Sequence, residues 1–134
     1  MKIKLTKVSQ ERLKTPPATL SGVVFGTLFS DHMFCMEWDD GKGWHSAQIK
    51  PYGPLKLEPS SMVLHYAQMS FEGLKAYKIE SGEQALFRPR ENFKRMNRTA
   101  QRMCIPQLDV EEVLDALKQM LHLDSGWVPG ANGT

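Results

Sequence analysis

Cysteine is scarce in this sequence. Cys35 and Cys104 are the two among 134 residues, and a disulfide-framed fold needs cysteine at far higher density. Long apolar runs are missing as well: none approaches the roughly 18 residues of a membrane-spanning helix, so neither such a helix nor a membrane partner is expected. No charge of one sign dominates, with 17 Lys+Arg against 15 Asp+Glu and a formal net charge of +2. His32, His45, His65 and His122 show no metal-ligand spacing with one another or with either cysteine, which argues against a zinc site. No serine or cysteine sits in a nucleophile elbow, and no glycine run fits a phosphate loop. What is present is 41% hydrophobic and 24% charged residues. That is the composition of one globular domain, expected to be cytoplasmic, long enough to bury a core and too short for two ordinary domains.

The charge is unevenly placed. Residues 1–20 hold Lys2, Lys4, Lys7, Arg12 and Lys14 against Glu11, a net +4, and the remaining residues carry −2. This stretch lacks the apolar centre of a secretory signal, and its glutamate and sparse serine speak against a transit peptide. Two readings fit it, a solvated leader and a tail for acidic partners, with the solvated leader preferred. We therefore divide the chain into a basic leader at 1–20 and one domain at 21–134.

Pro16 and Pro17 forbid a helix at 15–22. Apolar, aromatic and β-branched residues then predict a strand at 33–38, a turn at Asp39-Asp40-Gly41-Lys42-Gly43 and a returning strand at 44–50. A second hairpin is expected from 74–79 and 84–87 around Ser81-Gly82. After Pro89 the apolar period shifts from 2 to 3.6. On a helix over 91–103, Phe93, Met96, Ala100 and Met103 share one stripe. Asp109-x-x-Glu112 is a capping-box-like start, and Val113, Leu114, Leu117, Met120 and Leu121 line one face of a second helix. The expected fold class is α+β, an antiparallel sheet built from hairpins with two amphipathic helices packed on one face. Gly130-Ala131-Asn132-Gly133-Thr134 reads as a loop, and with no closing element after it the domain is expected to be incomplete at that end.

The densest charge lies in Arg88, Arg90, Lys94, Arg95, Arg98 and Arg102, against Glu91 alone. Three readings compete: a solvated face, a nucleic-acid stripe, and a single arginine holding a phosphate or carboxylate through its bidentate guanidinium. Arg95 lies nearest the apolar stripe, about 80° from Met103 with small Thr99 between them, and is best placed to point into a semi-buried site. Cys35 and Cys104 read as inert core thiols. Lys75 reads as an outward strand residue in preference to a Schiff-base amine. Tyr66 and Phe71, with Gly73 just after, suit a pocket wall and equally suit core packing.

A longer pattern adds to this. Phe25-Gly26-Thr27-Leu28-Phe29-Ser30-Asp31-His32-Met33-Phe34 resembles the opening motif of the branched-chain amino acid aminotransferases, pyridoxal-phosphate enzymes of fold type IV. The likeness continues through Gly43-Trp44-His45, Ile49-x-Pro51-Tyr52, Val63-Leu64-His65-Tyr66-Ala67 and Phe71-Glu72-Gly73-Leu74-Lys75-Ala76-Tyr77. It extends to Leu86-Phe87-Arg88-Pro89, Asn92-x-x-Arg95-Met96 and Trp127-Val128-Pro129, and so covers nearly all of the chain beyond residue 20.

The resemblance implies the N-terminal small domain of a two-domain, homodimeric enzyme. That enzyme would move the amino group of Leu, Ile or Val to 2-oxoglutarate by ping-pong transamination through a lysine imine of pyridoxal 5′-phosphate. It implies that Arg95 binds the cofactor phosphate and that Phe25, Tyr66 and Phe71 line the pocket for branched side chains, Tyr66 near the neighbouring subunit's site. It also implies that the Schiff-base lysine belongs to the second domain, since Lys75 matches a different lysine of the pattern. No catalytic residue is therefore assigned within these 134 residues, and the isolated chain is expected not to turn over. The alternatives are a stand-alone protein-interaction module and, less favoured, a basic-stripe nucleic-acid binder, although no nucleic-acid partner is expected.

Overall fold

The turn signal at 39–43 folds the first apolar run back on itself. In the computed structural model, which describes residues 1–130, β2 (His32–Asp39) and β3 (Gly43–Pro51) pair antiparallel, with Phe34 opposite Ile49 and Trp38 opposite Trp44. Gly41 and Gly43 take left-handed φ values of 81° and 71° in the connection, where a Cβ would be strained. β3 carries one extra residue between the pairs Cys35–Gln48 and Glu37–His45, a β-bulge at which Ser46 adopts φ 52°. Ala47, within the bulge, and Ile49, past it, are both buried.

The second hairpin, β4 (Ala76–Lys78) with β5 (Gln84–Leu86), is a separate two-stranded sheet, so the expected single sheet is in fact two. The first sheet is not purely antiparallel either. A short strand, β1 (Lys4–Leu5), pairs parallel to Gln48 and Ile49 and gives the order β1-β3-β2.

That strand ties residues 1–20 to the sheet, although nearly all of them, Lys4 and Leu5 included, are exposed. Besides its pairing, Thr6 N donates to Ile49 O at 2.9 Å, Val8 N donates to His32 Nε2 at 3.0 Å and Lys14 N donates to Asp31 Oδ1 at 3.0 Å. The Lys14 ammonium bonds Phe29 O and Ser30 O and lies 5.3 Å from the Tyr52 ring centroid. Composition registered the lysines, but backbone pairing takes no account of net charge.

Three helices follow. α1 (Met62–Tyr66) is short and ends at Ala67, which is left-handed at φ 49°. α2 (Pro89–Arg102) begins with proline at its first position, where a missing N–H costs nothing, and buries Phe93 and Ala100. α3 (Val110–Leu123) is capped by Asp109, which accepts from Glu111 N at 2.9 Å and Glu112 N at 3.0 Å. The Glu112 carboxylate is taken by the N-terminal amine at 2.6 Å. Between the helices Asn97 clamps the loop, donating to Leu108 O and accepting from Leu108 N, both at 2.8 Å. Leu114 and Ala116 of α3 complete the core with Ala47, Ile49 and Val128.

A buried polar hub joins the two ends. His32 Nδ1 lies 2.6 Å from Asp124 Oδ1, and Asp31 accepts from Trp127 Nε1 at 2.9 Å. Burial pushes the Asp31 carboxyl up, but the bonds from Trp127 and Lys14 bring it net below the usual range. Cys35 is half-buried and Cys104 is exposed, so the expectation of two core thiols fails for Cys104: it stands past the end of α2 at φ 53°, turned out of the apolar stripe. The loop expected at 130–134 lies outside the described residues after Gly130.

Candidate functional site

Asn92 and Arg95 stand three residues apart on α2 and therefore share a face. That face meets Glu72 and Gly73 in the extended segment between α1 and β4. Arg95 grips the Glu72 carboxylate with two parallel bonds, Nε to Oε2 at 2.8 Å and Nη2 to Oε1. Asn92 Nδ2 donates to Glu72 Oε1 at 3.1 Å and to Gly73 O at 2.9 Å, and Gly73 N donates to Oε1 at 3.0 Å. The Glu72 side chain is 7% exposed and that of Arg95 is 60% exposed. The Arg95 bonds, against the opposing cost of burial, lower the Glu72 carboxyl to about 2, and Glu72 in turn raises the guanidinium.

The anion that Arg95 holds here is a carboxylate of its own chain, and its own side chain is exposed rather than directed into the expected semi-buried site. The pairing engages Nε–H and one N–H of Nη2. Three of the five guanidinium donors are left without a protein acceptor among the described residues. Of the other cations in the dense stretch, Arg90 pairs with Glu111 at 2.5 Å and Lys94 with Glu91 at 3.0 Å.

Beside this lock lies an open cavity of about 480 Å³, bordered by Phe25, Phe71, Leu74, Tyr77, Phe87 and Asn92. Two of the three aromatic residues singled out in the sequence meet there, and Asn92 joins the cavity to the Arg95–Glu72 pair. Phe25 is 90% exposed, and Phe71 and Phe87 are exposed too, so the aromatic faces stand open to an occupant. Tyr66 does not border this cavity; it ends α1 and is 74% exposed. Lys75 borders the cavity and is exposed, in keeping with an outward residue. Two larger cavities, about 680 and 860 Å³, touch none of Phe25, Tyr66, Phe71 or Arg95. No group of three or more metal-ligating side chains occurs among the described residues.

Sequence reasoning gave no role to Glu72, Asn92, Tyr77 or Phe87. The spacing of Asn92 and Arg95 was a usable signal for a shared face. Glu72 had none, because it lies 23 residues before its partner. Phe87 is presented by Arg88, which precedes α2 in the left-handed region at φ 47°.

The mixed α/β arrangement of the described residues, with two small sheets and three α-helices, is compatible with the small domain of an aminotransferase. The relatives are more specific. The chain is 46% identical over 132 residues to branched-chain-amino-acid aminotransferase 2 of Bacillus subtilis, covering 98% of this chain and 36% of the relative. It is 50% identical over 121 residues to branched-chain-amino-acid transaminase 1 of the same organism, covering 90% and 33%. It is 41% identical over 134 residues to the mitochondrial branched-chain-amino-acid aminotransferase of Mus musculus, covering 100% and 33%. No protein-family model matches. The resemblance seen in the motifs therefore holds: the chain matches the N-terminal part of branched-chain-amino-acid aminotransferases, and it spans about a third of their length.

Proposed function

We propose that the chain is the N-terminal small domain of a fold type IV branched-chain amino acid aminotransferase that acts as a cytoplasmic homodimer. The reaction moves the amino group of Leu, Ile or Val to 2-oxoglutarate. Pyridoxal 5′-phosphate, when bound, supplies the carbonyl that takes up the amino group and the ring that stores the electrons of the broken bond.

The residues present fit that group. Arg95 keeps three N–H donors free on a guanidinium whose other edge is fixed, as a phosphate contact requires. Phe25 and Phe71 border the adjoining cavity and offer apolar faces to a branched side chain. Full burial of such a side chain contributes about 1.5–3 kcal/mol, while a charged side chain would be desolvated there without a partner. Tyr66, outside that cavity, is assigned to the pocket of the neighbouring subunit. The chain's part is to bind and orient, and to exclude water from one wall. The lysine that shuttles the proton is assigned to the part of the relatives that this chain does not span, since Lys75 is exposed and unsupported.

The observation that carries this reading is the coincidence of one anchored arginine with the aromatic cavity on the face defined by Asn92. The intact protein should bind pyridoxal 5′-phosphate and convert leucine and 2-oxoglutarate to glutamate. Arg95→Ala should lower cofactor affinity by at least about tenfold. The 134 residues alone should give no turnover. Equal cofactor affinity in the wild type and in Arg95→Ala refutes the assignment of Arg95.

A further inference from the structure

Resting on that reading of Arg95, we infer that Glu72 is a positioning residue, whose carboxylate fixes the Arg95 guanidinium so that its unengaged N–H donors face the cofactor phosphate.

Three observations support the inference. First, the pair is asymmetric in burial, with 7% exposure at the Glu72 side chain and 60% at Arg95. The carboxylate is the fixed partner and the guanidinium the part that reaches solvent. Second, Glu72 is over-determined: besides both Arg95 bonds it accepts from Asn92 Nδ2 and Gly73 N, so it has little freedom to turn. Third, the two parallel bonds fix both the direction and the plane of the guanidinium, which a single bond would leave free to rotate. An arginine without such a partner spreads over many rotamers, and ordering it when the phosphate binds would weaken binding by roughly two- to tenfold.

Two consequences of the same geometry oppose each other. A carboxylate next to the phosphate site repels a dianion, so on charge alone its removal tightens binding. As a positioning residue, its removal loosens binding. The sign of the effect therefore discriminates.

The test is made in the intact protein by equilibrium dialysis with pyridoxal 5′-phosphate and, separately, with pyridoxal, which lacks the phosphate. Glu72→Gln keeps shape but presents one amide oxygen and one NH₂ to four donors, so Arg95 loses at least one bond. The expected result is a two- to tenfold loss of affinity for pyridoxal 5′-phosphate, with affinity for pyridoxal unchanged, an effect that a general loosening of the fold would not produce. In an Arg95→Ala background Glu72→Gln should change neither affinity. Should Glu72→Gln fail to fold, Glu72→Asp keeps the charge but shortens the side chain by one methylene and so withdraws the carboxylate from Arg95, and the same selective loss is expected at smaller size. Unchanged or tighter phosphate-dependent binding in whichever of these variants folds overturns the positioning role, while the effect of Arg95→Ala would leave the phosphate reading standing. If Arg95→Ala itself leaves the preference for the phosphorylated form intact, it is that reading that falls.

Discussion

Replacing Asp124 by alanine should destabilise the fold more than any other single polar substitution outside the candidate site. The reason is the number of buried donors it leaves behind. Asp124 Oδ2 accepts from His32 N at 3.1 Å, and Oδ1 lies 2.6 Å from His32 Nδ1, with both residues buried. The Val8 amide can only donate, so His32 Nε2 must be the acceptor of that bond and Nδ1 must carry the proton toward Asp124. Asp124→Ala thus leaves two N–H groups without acceptors in the interior. At about 1–3 kcal/mol each the loss is about 2–6 kcal/mol, a large share of the roughly 5–15 kcal/mol that holds a domain together. Asp124→Asn keeps one oxygen and should cost about 1–3 kcal/mol. Urea unfolding followed by tryptophan fluorescence measures the difference. Amide exchange at Val8 reports whether the N-terminal strand loosens with it. A loss below about 0.5 kcal/mol for Asp124→Ala, the range of ordinary surface substitutions, refutes the account of the hub.

Four further outcomes are expected. Glu72 has a lowered folded-state carboxyl of about 2, so its pairing stabilises fully above its ordinary value near 4.5 and is lost as pH falls from about 4.5 through about 2. An acid titration of stability should therefore show a step in that window that is missing in Glu72→Gln. Phe71→Ala, at an exposed side chain bordering the cavity, should leave stability within about 0.5 kcal/mol while weakening leucine binding by the intact protein about tenfold; a large stability loss with unchanged binding would make it a core residue instead. Asp109→Ala removes the cap of α3 and should cost about 1 kcal/mol in urea unfolding, and no change would mean that Glu111 N and Glu112 N find other acceptors. The isolated 134-residue chain, with Phe25, Tyr66, Phe71 and Phe87 all exposed, should self-associate in sedimentation velocity; a monodisperse monomer would refute that.

Much of the secondary structure was legible locally. The 3.6 periodicity after Pro89 located α2 and the Asp109 signal located the start of α3, because both depend on neighbours within four residues. The split of the strands into two sheets was not legible, nor was the parallel pairing of Lys4 and Leu5 with Gln48 and Ile49. Those depend on which edge is free once the chain has packed. The short helix at Met62–Tyr66 carried no period long enough to detect. Cys104 misled for a related reason: an apolar stripe points inward only while the helix lasts, and the chain leaves it at Cys104 with φ 53°.

For the candidate site the division is similar. The order of motifs from Phe25 to Pro129 already pointed to the branched-chain-amino-acid aminotransferases that the chain matches, since a long ordered match survives without any knowledge of contacts. The helical wheel singled out Arg95 because angular position on a helix is fixed by sequence separation. Only the tertiary structure could pair Arg95 with Glu72 and gather Phe25, Phe71 and Phe87 around one cavity. Partners separated by 23 or more residues meet through the course of the chain between them, and no local rule of propensity or spacing encodes that path.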